Sequence, residues 1–431
     1  MDASVGMHGR RRLRVAALVD LPRSPQAGGH VKCWERIAEA AAPGDLPLSL
    51  TVYFSGRRRD ETLGPGARMA HLPPMLSTAQ LKFLPYVPDH TDLSPYHPAL
   101  ARALASYDVI HTTDAFFAFA RTAESVSRRR GIPLVTSMHT DTPSYTRIFT
   151  RQTIESRFGD SWPARKLLRD WKVHEAQGRR MDRRLSQHVR RCDYVAATRE
   201  EDHALALSVL GRSRVGQLRL GIDKDLFGPH RADRAGVEAQ FGLPKDQIVV
   251  LFVGRLDVGK NIHTLVDAIA QLRAEGLPLH LVTAGVGPAA GEIKARLGEA
   301  ATVAGFIAPT DLARLYASVD LVALASEVEI RSMVGVEAMV SGCPVLVSEK
   351  SGVAQLSDHN DGMRMVASGA AAWTDALRDI ARDAAGRAAM RAAALDYADR
   401  ELASWRDVLE EDLLSAWRFA ADAAALAELT A

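Results

Sequence analysis

Two glutamates, Glu329 and Glu337, stand with seven residues between them in SEVEIRSMVGVEAMVSGCP, residues 326–344. Glu329 falls in a loop just after a strand-like run, and Glu337 inside a predicted helix, Met333–Ser341, that Gly342 would cap. The unsatisfied N–H groups where that helix begins, at Ser332, Met333 and Val334, can hold a diphosphate. A carboxylate ahead of the helix can accept hydrogen bonds from sugar hydroxyls, and one in its second turn can reach a ribose. Paired glutamates are ordinarily surface charge. Their position after a strand and before a Gly-Cys-Pro turn favours binding chemistry here.

Further candidates lie in VGRLDVGKN, Val253–Asn261, where Arg255 and Lys260 share a loop with four residues between them. Two cations there can neutralise a leaving diphosphate. The loop follows the first strand of a second α/β domain, and such folds bind ligands at the carboxyl ends of strands. In the first half, Gly28 and Gly29 separate a strand from its helix. Lacking Cβ atoms, they admit close approach of a ligand, although a glycine pair is also an ordinary turn. His139 ends the predicted strand Pro133–His139, where a histidine is either a hydrogen-bonded core group or a ligand contact.

The elements that must position these residues alternate between strand-like apolar runs and helical patterns, which predicts parallel sheets with crossover helices. Predicted strands are Leu13–Asp20, Leu48–Phe54, Asp108–Thr112, Pro133–His139 and Tyr194–Thr198, then Ile248–Val253, Leu279–Ala284, Ala301–Val303, Leu321–Leu324 and Pro344–Ser348. A helix is expected from about Val31, with Val31, Trp34, Ile37 and Ala38 on one face, and another carrying Ile262, Leu265, Val266, Ile269 and Leu272. The strand–loop–helix layout occurs twice. At 431 residues the chain divides into a domain at 1–222, a second at 223–400 and a helical tail at 401–431.

A composition of 47% hydrophobic and 25% charged residues is that of a soluble globular protein. No run approaches the ~20 apolar residues of a membrane-spanning helix. The basic start, Met1–Arg14, leads into a strand that Asp20 and Pro22 end too early for a signal peptide. Cys33, Cys192 and Cys343 are widely separated, with neither a metal-type spacing nor a disulfide framework, so the cytoplasm is the expected compartment. The first 220 residues carry 34 Lys and Arg against 22 Asp and Glu, whereas the remainder carries 20 against 30. Much of this basic excess lies in residues 147–191, interleaved with Phe149, Phe158, Trp162 and Trp171. Two readings fit that stretch: a helical surface lying on an anionic bilayer at the inner face of the membrane, or a solvated face with ordinary core contacts. No nucleic-acid module accompanies the charge.

The motifs together resemble those of glycosyltransferase family 4, from about Arg14 to Trp405. The family's signature is two glutamates bracketing seven residues, and EAMVSGCPVLVS is similar to its helix-and-strand continuation. The resemblance implies two Rossmann-like domains of the GT-B type facing across a cleft, with a C-terminal helix returning to the first. It implies that Glu329 contacts the donor sugar, Glu337 the nucleotide ribose, Arg255 and Lys260 the diphosphate, and His139 the donor sugar. Gly28 and Gly29 resemble the family's first-domain loop near the diphosphate and acceptor, and VAGFI, ending at Ile307, the segment facing the nucleobase. Arg331 and Ser332 replace the aromatic residue and glycine usual after the first glutamate. Family membership implies retention at the anomeric carbon, a UDP- or GDP-sugar donor, and no metal or other cofactor. HTDTPSY, His139–Tyr145, resembles the segment of members that glycosylate lipids, while a soluble sugar or small-molecule acceptor stays open. An epimerase or sugar phosphorylase fits the two glutamates and two cations less well, and a non-catalytic nucleotide-sugar-binding relative is the remaining alternative.

Overall fold

The computed structural model describes residues 12–24, 27–77, 92–139, 141–159, 161–327 and 333–430. The chain divides into two units, Met1–Gly221 with Trp405–Ala431, and Ile222–Ser404. The strands of the first unit are β1 (Leu13–Pro22), β2 (Leu48–Ser55), β3 (Arg59–Gly64), β4 (Ala67–Leu72), β5 (Val109–Thr112), β6 (Leu134–Ser137), β7 (Tyr194–Ala197) and β8 (Val215–Gln217). They form one sheet in the order β3-β4-β2-β1-β5-β6-β7-β8. Every pairing is parallel except β3 with β4. Val15 to Val19 of β1 are fully buried, because helices cover both faces of a parallel sheet and its strands become continuous apolar runs. The helix Gly29–Ala41 buries Val31, Trp34, Ile37, Ala38 and Ala41, a spacing that puts them on one stripe.

The β3–β4 hairpin is absent from the sequence expectation. β3 reads RDETLG and is largely exposed, so it lacks the alternation that marks a half-buried strand. The expected strand Pro133–His139 stops at Ser137. The chain must turn there, because Asp141 accepts a hydrogen bond from the Ser144 N–H at 3.0 Å and caps the helix Thr142–Phe158. HTDTPSY is therefore in part a helix-start signal, with Pro143 in the first turn.

The C-terminal segment packs within this first unit. Arg406 forms a forked pair with Asp45, at 2.9 and 2.8 Å. Asp412 accepts from Arg219 at 3.0 Å, and Trp417 is fully buried.

In the second unit β9 (Ile248–Val253), β10 (Leu279–Ala284), β11 (Ala301–Gly305), β12 (Leu321–Leu324), β13 (Val345–Ser348) and β14 (Met363–Val366) form an all-parallel sheet ordered β11-β10-β9-β12-β13-β14. This is the doubly wound arrangement whose order reverses between the first and fourth strands. Leu265, Val266, Ile269 and Leu272 of the helix Ile262–Ala274 join Val250, Phe252 and Leu281 in its core. Truncating one of these leucines to alanine costs about 2–5 kcal/mol. Among the described residues, no helix is long and apolar enough to cross a membrane.

Candidate functional site

In the second unit the strand order reverses between β9 and β12, the place where ligands bind in such sheets. The loop leaving β9 carries Arg255, then Asp257, a 3₁₀ turn over Val258–Lys260, and Asn261. Asp257 fixes the turn by accepting the Lys260 N–H at 3.1 Å, and its other oxygen lies 3.3 Å from the Arg255 guanidinium. Asn261 adopts φ +53° and donates to the Ala325 carbonyl at 3.2 Å, tying this loop to the end of β12. Its Oδ1 accepts from Thr264 at 2.7 Å, in the first turn of the following helix. Arg255 is well exposed and Lys260 half-exposed, so one short, internally braced loop presents both cations.

The next loop is stacked directly on this one. Leu256 N–H bonds the Val286 carbonyl at 3.0 Å, and Gly254 N–H the Ala284 carbonyl at 2.9 Å. A Cβ on Gly285, which has φ +146°, would sit 1.9 Å from the Gly254 carbonyl oxygen. Gly285 thus serves loop-on-loop packing. On the same carboxyl edge Val258, Val286 and Phe306 are 79%, 64% and 67% exposed, beside half-buried Ile307. These three apolar loop residues escaped the sequence reading. Their signal was apolar side chains next to loop glycines, where no helix or strand face calls for them.

Glu337 lies in the helix Met333–Val340, one residue shorter than expected, and is half-buried. Gly342, at φ +73°, closes the helix: its N–H reaches the Met339 carbonyl at 2.9 Å, and Cys343 N–H reaches Ala338 at 2.8 Å. The Glu337 carboxylate accepts from Tyr316 at 3.0 Å. Tyr316 is itself fully buried, edge-on to Phe227. Met333 and Val334 open the helix and are half-exposed. Glu329 and Ser332 lie outside the described residues.

Residues 247–383, which contain Arg255, Lys260 and Glu337, match the family model described as glycosyl transferases group 1. The chain is a glycosyltransferase with a group 1 domain. It is 29% identical over 343 residues to D-inositol 3-phosphate glycosyltransferase 1 of Catenulispora acidiphila, covering 74% of this chain and 76% of that one. A D-inositol 3-phosphate glycosyltransferase of a Nocardioides species is 28% identical, over 73% and 68%. Two solved structures share the fold. Sucrose-phosphate synthase of Thermosynechococcus elongatus has a TM-score of 0.66 at 20% identity, covering 95% of this chain and 100% of that one. Anabaena HepE in complex with UDP has 0.63 at 18%, covering 94% and 99%.

The first unit of the glycosyltransferase places its candidates at the carboxyl edge of its own sheet. Gly28 caps the helix that Gly29 opens, with φ −67°, and a Cβ on either would meet nothing within 4 Å. Internal packing therefore does not require glycine at these positions. His139 follows β6. Its Nε2 lies 2.9 Å from Ser137 Oγ and 3.3 Å from the indole nitrogen of Trp34, and its ring stacks on His30 with centroids 4.5 Å apart. Burial pushes His30 down to about 4, so that ring is neutral. Asp20, in β1, accepts from Phe119 N–H at 3.1 Å; burial and then neighbouring Asp114 hold its carboxyl well above the usual range. Neither effect was readable from sequence, since both depend on what the fold packs around the group.

Residues 147–191 are mostly helical, in Thr142–Phe158, Trp162–Arg165 and Val173–Arg191 with a π-turn over Lys166–Asp170. Not all their arginines face solvent. Arg147 pairs with Asp182 at 2.5 Å, Arg184 with Glu124 at 2.9 Å, and Arg191 also with Glu124. Arg179, Arg180, Arg183 and Arg190 are exposed. So are Ile148, Phe158, Trp162 and Trp171, the two tryptophans at 66% and 62%. Lys166 Nζ lies 4.9 and 5.3 Å from the two indole rings.

Proposed function

We propose that this glycosyltransferase is a retaining, metal-independent enzyme that moves a sugar from a UDP- or GDP-sugar to a hydroxyl of a phosphate-bearing acceptor. The observation that carries the reading is the braced loop of β9, which holds Arg255 and Lys260 together at the strand-order reversal. Charge-assisted hydrogen bonds from these two groups stabilise a diphosphate as negative charge develops on it. Met333 and Val334 supply N–H groups at a helix start for the same diphosphate, and Ser332, which precedes them in sequence, is assigned to the same ligand. Glu337, oriented by Tyr316, accepts from the ribose hydroxyls, and Glu329 from the sugar. His139 contacts the donor sugar, a role carried over from the family resemblance. Ile307 and exposed Phe306 face the base.

In the step that follows, the bond from the anomeric carbon to the diphosphate oxygen breaks. The acceptor oxygen bonds that carbon on the same face, and its proton passes to the leaving phosphate. The named relatives act on inositol 3-phosphate, and the basic excess of the first 220 residues suits an anionic acceptor. Calorimetry with UDP, GDP and their sugars tests the donor. Binding of one nucleoside diphosphate that weakens in Arg255→Ala and Lys260→Ala is expected, and unchanged affinity in both removes the assignment.

A second reading of the acceptor rests on the exposed Trp162, Trp171, Phe158 and Ile148 among exposed arginines. Aromatics of this kind enter the headgroup layer while arginines attract anionic lipid. On this reading the phosphate belongs to a lipid headgroup, and the enzyme sits peripherally on a cytoplasmic membrane face. Vesicle sedimentation separates the readings: recovery on anionic vesicles that falls with salt supports the lipid, and equal recovery on neutral vesicles, or none, supports a soluble acceptor.

A further inference from the structure

His139 stands at one end of a hydrogen-bond chain whose polarity is set at the other end by a tryptophan. Trp417, on the C-terminal helix Ser415–Thr430, directs its indole N–H at His111 Nδ1 over 2.9 Å. An indole nitrogen only donates, so His111 Nδ1 carries a lone pair. His111 is fully buried and burial pushes it down to about 3, so it is neutral and its single ring proton sits on Nε2. That nitrogen lies 2.8 Å from Ser137 Oγ, which accepts it. The hydroxyl then turns its own proton to the remaining neighbour, His139 Nε2, at 2.9 Å. Trp34, fully buried, points a second donor-only indole N–H at the same nitrogen at 3.3 Å.

His139 Nε2 thus faces two donors and cannot carry a proton itself. We infer that Trp417, His111, Ser137 and Trp34 are positioning residues that hold His139 as the neutral Nδ1–H tautomer, which gives the sugar-contacting residue a donor rather than a basic lone pair. This rests on the proposed contact between His139 and the donor sugar. The ring stacked 4.5 Å away, His30, is neutral as well and sets no charge against the tautomer. His139 then orients a sugar hydroxyl by donating to it, and takes no proton from the acceptor.

The test reads the tautomer directly. Long-range proton–nitrogen correlation spectra of the full-length protein, labelled with ¹⁵N-histidine at neutral pH, should show His139 with a pyrrole-type Nδ1 and a pyridine-type Nε2. The His139→Gln spectrum, which lacks that signal, assigns it. Ser137→Ala, a small change, should move His139 towards mixed tautomers and lower kcat about three- to tenfold, the range of one neutral hydrogen bond, with the donor KM nearly unchanged. Trp417→Phe should release His111 from its single tautomer and produce the same mixing at His139 in weaker form. A pyrrole-type Nε2 or a cationic ring in the wild type overturns the inference. So does an unmoved tautomer in both variants. If the tautomer is as inferred but His139→Gln transfers sugar at the wild-type rate, the tautomer stands and the sugar contact fails.

Discussion

Tyr316 donates its hydroxyl proton to the Glu337 carboxylate across 3.0 Å, from a side chain with no solvent exposure. The tyrosine sits on the helix Pro309–Ser318 and the glutamate on Met333–Val340, so the bond fixes the glutamate's rotamer from a separate element. A carboxylate held in this way loses little conformational entropy when it meets a ribose.

Glu337→Gln should therefore weaken nucleoside-diphosphate binding, and Tyr316→Phe should weaken it less, by about three- to tenfold for loss of one orienting hydrogen bond. Calorimetry with the bare nucleoside diphosphate reads both. A Tyr316→Phe affinity equal to wild type, with the fold intact by circular dichroism, would remove Tyr316 from the site.

Arg255→Ala and Lys260→Ala should each raise the Kd for the nucleoside diphosphate about 10- to 150-fold, the value of a charge-assisted hydrogen bond. Asp257→Ala, which loosens the turn that holds Lys260, should have an effect in the same direction but smaller. An Asp257→Ala affinity above wild type would show that the aspartate competes with the diphosphate for Arg255 instead of bracing the loop.

Asp20 gives a pH-dependent stability. Burial, then Asp114, raise its folded pKa above an unfolded value of about 3.9. A raised folded pKa means that stability is greatest below the unfolded value and declines as pH rises through the folded one. Asp20→Asn removes that decline, so the variant should melt with wild type near pH 4 and above it at pH 8. The gain is about 2–4 °C for each kcal/mol in a unit of this size. Parallel melting curves across that range would place Asp20 in an ordinary environment.

Charge reversal at Arg179, Arg180 and Arg183 should abolish binding to anionic vesicles, each cation near such a surface contributing about 1 kcal/mol. Arg184 is left in place because its bond to Glu124 belongs to the fold. Trp162→Ala with Trp171→Ala should lower vesicle binding at high salt, where the charge attraction is screened. Retained binding in both sets would locate any membrane contact elsewhere.

The parallel sheets were legible because buried strands such as IVVLFV, Ile248–Val253, have no polar alternation to hide them. The cation loop was legible because it directly follows such a run, and the end of the Glu337 helix because Gly342 precedes a proline by two residues. The β3–β4 hairpin was not, since exposed β3 carries no apolar pattern. Nor were the partners that set chemistry. Tyr316 is 21 residues from Glu337, and Trp417 is 306 from His111. Contacts of that separation follow from tertiary packing, to which local periodicity is blind.

The proposed reaction is metal-independent transfer from a nucleotide sugar, with Arg255 and Lys260 stabilising the leaving diphosphate. The most direct measurement is nucleoside-diphosphate release from UDP- and GDP-sugars in EDTA, with inositol phosphates, soluble sugars and anionic glycerolipids as acceptors. Release from one donor, stimulated by one acceptor class, retaining the anomeric configuration and falling in Lys260→Ala is the predicted result. Tight donor binding with no release under any of these acceptors, or release that EDTA abolishes, would contradict it.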